Sequence, residues 1–469
     1  SQDDALEGVA AVYTQAGNYT TALQFNQKAL ALAQQLKDGE RSASAFASAG
    51  QDSYLLGDFD SARDSFAKSG ELWQTAGNKS GIASSDTWLG NVALAQSNYA
   101  QALDYYRRAL VIRQDLGDSE STGYLLCGVA DAQAGGRDFD ASLDSARKAV
   151  EVAGETGDDS LRWYALYLQG NADLGLVVSG LGDVKGVGSL AAVQSYGQAI
   201  ALVESLRGRP AFFGLQPKPP ISMAAPYLGM VAALSRQNRA EEAVSYAERA
   251  KMQQMLDLIG SGPAAVAKGL SIIEQQDERK LANSLASAEN RYYIEKRRPA
   301  SGANRLAPLS AAVKKAGSDY DEFEARLYQR HPKLRAYRGL VATDLPRAAK
   351  GILSRASEKA ALVEYAVTRE RTYVFVISRQ SAPLDKTSNK NDAVGGVTIA
   401  QFTIETPVEA LAQRVLQFWR MVAADNSKLD DAARGLYDLL LAPAKQVLDG
   451  KTSLVIVPDG PLWKLPFQA

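Results

Sequence analysis

The sequence predicts an α-helical superhelix of repeated helix pairs followed by a partial α/β domain, and three observations predict it. Large side chains recur at a step of 40 residues: Tyr19, Phe59, Tyr99 and Phe139. Small ones keep the same step, in Ala22, Ala62, Ala102 and Ser142 and again in Ala29, Ser69, Ala109 and Ala149. After Pro346 the period gives way to short runs of β-branched and aromatic residues such as Tyr373–Ile377. A unit of this length is one supersecondary element that cannot bury its apolar face alone, so it stacks on its neighbours.

Each unit reads as two helices and two turns. In the first, Ala11–Ala16 ends one helix, Gly17-Asn18 makes the turn and Tyr19–Leu36 forms the second helix. Gly57, Ser97 and Arg137 occupy the same turn position in later units. Turns between units are expected at Lys37-Asp38, Gly77-Asn78, Gly117-Asp118 and Gly157-Asp158. The small pairs seven apart (Ala22/Ala29, Ala102/Ala109) lie two turns apart on one face, where they let helices approach closely. Less regular units follow, with Ala192/Ala199 and Ala243/Ala250 keeping the pair. An insertion is expected at 180–188 and a Pro- and Gly-rich excursion at 207–220.

Residues 268–297 and 308–330 read as long charged helices that bridge two parts of the chain, broken at 298–302. Beyond them, Leu362–Tyr365, Tyr373–Ile377, Val397–Ile404 and Ser453–Val457 read as strands. Arg369-Glu370-Arg371 fits a hairpin tip, 381–396 a polar loop, and 407–424 and 429–448 helices. The expected division is a repeat domain at 1–258 with about six helix pairs, a helical linker at 259–340 and the first part of an α/β domain at 341–469.

The repeat units resemble tetratricopeptide (TPR) repeats. Trp88-Leu89-Gly90, Tyr99, Ala102, Tyr106 and Ala109-Leu110 match that family's order of large and small positions, and the likeness covers residues 5–255. The resemblance implies a protein or peptide partner on a concave face lined by the first helix of each pair. Gln51, Tyr54, Asn91, Leu94, Tyr124 and Asp131 would stand there. The first-helix stretches 42–56, 82–96 and 122–134 contain no Lys or Arg. That argues against clamping a chaperone's C-terminal carboxylate, for which TPR proteins use basic residues. A plainer role for the same helices is a spacer, or a docking surface for the rest of the chain.

The second half resembles the start of a CHAT domain, a caspase-like module often fused to TPR repeats. The residues that carry this are Ala361–Ala366, Tyr373–Ile377 and above all Leu454–Phe467 with its Pro458-Asp459-Gly460 core, placed behind the helix Tyr246–Leu258. The resemblance implies a fold related to caspases and, in active members, a bacterial-type regulated cysteine peptidase with a His–Cys dyad. In the family that pair lies downstream of the proline-aspartate-glycine block. The sequence ends at Ala469, so no catalytic residue transfers and this chain by itself is expected to be inactive.

Composition narrows the remaining choices. A net charge of -1 offers no concentrated basic face for nucleic acid. No apolar run of about 18 residues spans a membrane. With one cysteine and one histidine, neither an internal disulfide nor a Cys/His metal site is expected. Cys127 lies in an apolar repeat helix and His331 before Pro332, so they read as a buried inert thiol and a surface imidazole rather than a dyad. Gly180–Gly188 and Gly77–Ser80 lack the spacing of dinucleotide or phosphate loops, and no cofactor is expected. Asp459 reads as a turn or capping acid beside Gly460, and Glu364 as one half of a pair with Arg371 or another base. The chain begins at Ser1 without a signal segment, which points to a processed chain; a cytoplasmic location is favoured, with an exported form the alternative. Two functions follow: a binding scaffold of a TPR–CHAT peptidase, or a non-enzymatic TPR adaptor for protein assembly.

Overall fold

The computed structural model describes residues 2–180, 187–207, 221–259, 270–296, 303–337, 349, 351–353, 355–356, 359–379, 393–394, 397–423 and 429–467. Helices come first: α1 (Gln2–Gln15), α2 (Tyr19–Gln35), α3 (Gly39–Leu55), α4 (Phe59–Thr75), α5 (Lys79–Ala95) and α6 (Tyr99–Asp115). They continue with α7 (Ser119–Gly135), α8 (Phe139–Thr156), α9 (Asp159–Val178), α10 (Val187–Arg207), α11 (Ala225–Arg236) and α12 (Ala240–Ile259). The expected insertion and the Pro-rich excursion lie almost wholly outside the described residues.

One local code, repeated every 20 residues, makes these elements. Gly17, Lys37, Gly57, Gly77, Ser97, Gly117, Arg137 and Gly157 all hold positive φ. Each ends a helix in the left-handed region, where a glycine lacks the Cβ clash. The next residue is always Asn or Asp. Its side chain accepts the amide three residues on, as Asp38 does from Arg41 at 3.0 Å and Asp158 from Leu161 at 2.9 Å. Asn98 departs from this, donating to Gln101 Oε1 instead. Stop and start signals placed so close force antiparallel neighbours, and every helix from α2 to α7 has the same 17-residue length.

Packing between helices follows from the small residues. Ala22, Ala62, Ala102, Ala29 and Ala109 are fully buried. Large rings fill the space that the glycines leave. A Cβ on Gly90 would sit 2.5 Å from the Tyr106 ring and one on Gly128 2.9 Å from it, so both glycines clasp that ring. Tyr196 is held in the same way between Gly170 and Gly229.

Two long helices follow, α13 (Ile272–Lys296) and α14 (Ala303–Arg330), which pair as a hairpin, and then a short α15 (Pro332–Tyr337). His331 Nε2 lies 3.0 Å from Glu274 Oε1, tying the start of α13 to the end of α14. That contact holds the Glu274 carboxyl down at about 2.

The α/β region is a five-stranded sheet in the order β3-β4-β2-β1-β5. The strands are β1 (Ala360–Val367), β2 (Thr372–Arg379), β3 (Ala393–Val394), β4 (Val397–Ile404) and β5 (Ser453–Val457). β5 pairs with β1 in parallel; the β1–β2, β2–β4 and β3–β4 pairs are antiparallel. The expected loop 381–396 lies outside the described residues, apart from β3. The helices are α16 (Val408–Ala423), α17 (Leu429–Leu440) and α18 (Lys445–Leu448). A single helix over 429–448 is not what forms. Pro443 closes α17 into a 3-10 turn at Ala442–Ala444, because a proline ring has no amide to continue the ladder.

Strand alternation decides what covers each face of the sheet. Leu362, Ala366, Tyr373, Phe375 and Ile377 join one core with Tyr196, Tyr227, Val231 and Val244 of the last repeats. Val363, Tyr365, Val374 and Val376 join the other core with Leu411, Val415, Phe418 and Leu436 of α16 and α17. The sheet is thus a middle layer, with the solenoid on one side and its own helices on the other.

Candidate binding face

The first helices carry a polar row at the 40-residue step: Gln51 on α3, Asn91 on α5, Asp131 on α7 and Asn171 on α9. Gln51, Asn91 and Asp131 are all half-buried. Tyrosines on the second helices steady two of the row: Tyr106 OH donates to Asn91 Oδ1 at 2.8 Å, and Tyr196 OH to Asn171 Oδ1 at 2.8 Å. A side-chain amide with one group held still offers its other group outward.

Tyr54 and Leu94 form an adjoining row, also half-buried. Tyr54 stacks edge-on against Trp88 with ring centroids 5.6 Å apart and leans on Phe59 at the same distance. Leu94 packs against the core of α5–α7. Tyr124 does not join either row. It stands nearer the start of its helix and hydrogen-bonds Asp158, the cap of α9, so it faces the turn between units. Burial drives its phenol pKa up.

Asp131 is the charged member of the row. Burial raises its pKa, and the positive charge of Arg369 opposes that rise. Arg369 belongs to the tight turn between β1 and β2, where Thr368 N donates to Arg371 O at 2.8 Å. The turn is fixed from behind: Val408 N donates to Arg369 O at 3.0 Å, and Arg371 pairs with Glu405 at 2.7 Å. Its front brings Arg369 and Glu370 within electrostatic reach of Tyr167, and Glu370 within reach of Tyr196. The hairpin tip read from the sequence is therefore present, and its charges reach Asp131 and Tyr167 of the first helices. Sequence reasoning missed Asn171, although it stands one step beyond Asp131, and missed Arg369 and Tyr167.

The other residues weighed for chemistry take structural places. Cys127 is fully buried in the repeat core, where burial pushes its thiol pKa well up, and His331 is engaged with Glu274. Asp459 Oδ2 accepts the Val367 amide at 2.7 Å and so ties the loop after β5 to the end of β1. Glu364 does not pair with Arg371. Its neighbour is Lys251 of α12, because the residue faces the solenoid side of the sheet, whereas Arg371 has turned to Glu405.

The chain carries tetratricopeptide repeats: the tetratricopeptide repeat family model matches residues 2–74 and 81–155. With the helix pairs that follow, these define a TPR solenoid. No curated protein matches the chain. Among solved structures, the apo form of RapI is similar at 13% identity, over 70% of this chain and 88% of that one, with a TM-score of 0.39. A Rap protein complexed with Competence and Sporulation Factor is similar at 12% identity, over 73% of this chain and 86% of that one, with a TM-score of 0.39. Among the described residues no helix is long and apolar enough to cross a membrane.

Proposed function

We propose that this TPR scaffold binds a protein or peptide along its first-helix face, with Gln51, Tyr54, Asn91, Leu94 and Asp131 as contact residues. The observation that carries the reading is the polar row itself. Amides and a carboxylate repeated at one helix position meet the regular donors and acceptors of an extended backbone, while Tyr54 and Leu94 offer apolar contact beside them. Tyr124, turned toward Asp158, contributes to shape rather than to contact. The working division is repeats at 1–258, bridge at 259–340 and α/β region at 341–469. A random peptide display library on the immobilised chain tests the face. Selected peptides should lose about tenfold in affinity when Gln51→Ala and Asn91→Ala are combined, since each removes a hydrogen-bonding side chain from the face. Unchanged affinity rejects the face.

A finer reading makes the α/β region the first part of a caspase-like CHAT module whose state answers to the repeats. The residue block Leu454–Phe467 supports it, and so does the core shared by sheet and solenoid, which gives binding a mechanical route to β1 and β2. Hydrogen exchange of residues 360–379 with and without a bound peptide separates the two functions. Altered protection favours the relay; unchanged protection favours a plain adaptor.

A further inference from the structure

We propose that the groove between α8, α9 and α10 is a binding site for a small free α-amino acid with an uncharged polar side chain, Asp173 meeting its ammonium group and Arg147 its carboxylate. The site is separate from the peptide-binding face. Asp173 stands two positions after Asn171 on α9, about 200° further round the helix, so the polar row and the groove open on different sides of the solenoid.

The groove encloses about 260 Å³, between Arg147 of α8, Gln169 and Asp173 of α9, and Gln194, Ser195 and Gln198 of α10. At about 30 Å³ for each water-sized group, that is room for about nine non-hydrogen atoms. Asp173 forms its floor and is only 5% exposed. The one hydrogen bond it receives from another side chain among the described residues is long, from Ser195 Oγ to Oδ2 at 3.4 Å. Arg147 stands near enough for its charge to act on Asp173, yet no ion pair joins them. Gln169, Gln194 and Gln198 make no side-chain hydrogen bond with the described residues. A buried carboxylate with so little compensation inside the fold calls for a cation from outside. Burial lifts its pKa to about 6, with Arg147 opposing the rise, so the carboxyl is ionised at neutral pH.

The preceding unit is an internal comparison. At the 40-residue step, Val129 and Gln133 stand where Gln169 and Asp173 do. Aligning Ala192/Ala199 with Ser142/Ala149 sets Asp144, Ser145 and Lys148 at the positions of Gln194, Ser195 and Gln198. There Ser145 Oγ donates to Gln133 Oε1 at 2.7 Å, a short bond that ties the two helices together. The fifth unit thus moves a negative charge onto the floor and replaces both charges of the rim by neutral amides. Those changes narrow the ligand. One carboxylate is too few for a divalent cation, which takes several oxygen ligands. An anion alone meets Asp173, and an apolar molecule strips water from three amides without replacing their hydrogen bonds. A zwitterion satisfies both charges, and the amides offer donors and acceptors to a polar side chain.

Calorimetric titration of the whole chain with L-serine, L-threonine, L-asparagine and L-glutamine tests the site. At least one of the four should bind saturably, and L-valine should bind at least tenfold more weakly than that ligand. Asp173→Asn should weaken the ligand and its α-amide alike by about tenfold, since both carry the ammonium group. Arg147→Met should weaken the ligand about tenfold and leave the α-amide unchanged, since the amide has no carboxylate. Gln194→Ala combined with Gln198→Ala, both on the exposed rim, should also cost about tenfold, and this pair carries the test if Asp173→Asn unfolds. Thermal melts matching those of the native chain establish that the variants are folded. The inference is overturned if none of the four amino acids binds saturably, if valine binds as tightly as the polar ligand, or if Arg147→Met costs the α-amide as much as the free acid. Gln51→Ala and Asn91→Ala should leave this binding untouched; a loss there places the ligand on the first-helix face and equally overturns the groove.

Discussion

Lys251 Nζ of the last repeat helix lies 2.9 Å from Glu364 Oε1 in the middle of the sheet, with Glu364 only 1% exposed. This pair is the polar centre of the seam between solenoid and α/β region. Around it, Gln401 Nε2 donates to Ser235 O at 3.2 Å, and the apolar residues of β1 and β2 meet α11 and α12. Glu248, one turn before Lys251, shares its ammonium at 3.5 Å. Removing Lys251 leaves Glu364 with no cation in a dry setting. Lys251→Met is expected to lower stability by about 1–3 kcal/mol, since a buried acceptor loses its charged donor. The effect should be greatest on exchange protection of β1 and α12. Equal loss of protection in α1–α4 would contradict a role confined to the seam.

The same seam makes a pH prediction. Burial, aided by Glu248 and opposed by Lys251, lifts the Glu364 carboxyl from 4.5 to about 8. Between those values the folded chain holds a proton that the unfolded chain has released. Stability from this group is therefore complete below pH 4.5 and declines as pH rises toward 8. Glu364→Gln keeps an acceptor for Lys251 and has no proton to lose. The difference in unfolding free energy between Glu364→Gln and the native chain, read by urea titration, should grow in favour of the variant from pH 5 to pH 8, by an amount on the order of a few kcal/mol. A difference that stays constant across that range would show that Glu364 ionises as freely folded as unfolded.

The clasp on Tyr106 predicts a steric effect. A methyl at Gly90 would meet the Tyr106 ring at 2.5 Å, and the ring cannot retreat because Gly128 closes on its other side and its hydroxyl is held by Asn91. Gly90→Ala improves helix propensity by up to about 1 kcal/mol, yet overpacking of a fixed ring costs about 1–3 kcal/mol. Net destabilisation is expected, with a fall in melting temperature. Gly154 is the control: nothing lies within 4 Å of its Cβ position, so Gly154→Ala should stabilise α8. A rise in melting temperature for Gly90→Ala would mean the ring has room to move.

How much was legible beforehand depended on whether the information was local. The helices of the first four units could be placed from residues, because stop and start signals such as Gly117-Asp118 act on their own neighbours. The four longer strands were legible for the same reason, whereas β3, Ala393–Val394, falls inside the stretch read as a polar loop. What lay against them was not. The alternation in Leu362–Val367 shows that both faces are apolar, but not that one meets Tyr196 and the other Val415. Tyr124 and Asp131 share α7, yet one hydrogen-bonds Asp158 while the other, half-buried, feels the charge of Arg369; that split is set by tertiary packing. Glu364 found its base on a helix more than a hundred residues earlier, a pairing that no local pattern encodes.

Three of the repeated turns hold a residue ill suited to them. Lys37, Ser97 and Arg137 take φ of 54°, 60° and 66°, where the other turns of the series place glycine. A Cβ in this region costs about 1–2 kcal/mol, and glycine gives back about 0.5–1 kcal/mol through its freer unfolded chain. Replacing each by glycine should therefore stabilise the solenoid by about 0.5 kcal/mol. The three sites lie in separate turns with no shared partner, so the triple variant should gain about 1.5 kcal/mol. In a repeat array such gains act on neighbouring units through their interfaces, and the urea transition should move to higher concentration without changing its slope. Gly57→Ala is the mirror test: φ is 80° and open space surrounds the position, so any loss measures backbone strain alone. If Arg137→Gly weakens the fold while Gly57→Ala is tolerated, the left-handed turn is not what makes the 20-residue step, and the caps at Asp38, Asp58 and Asp138 must be setting it instead.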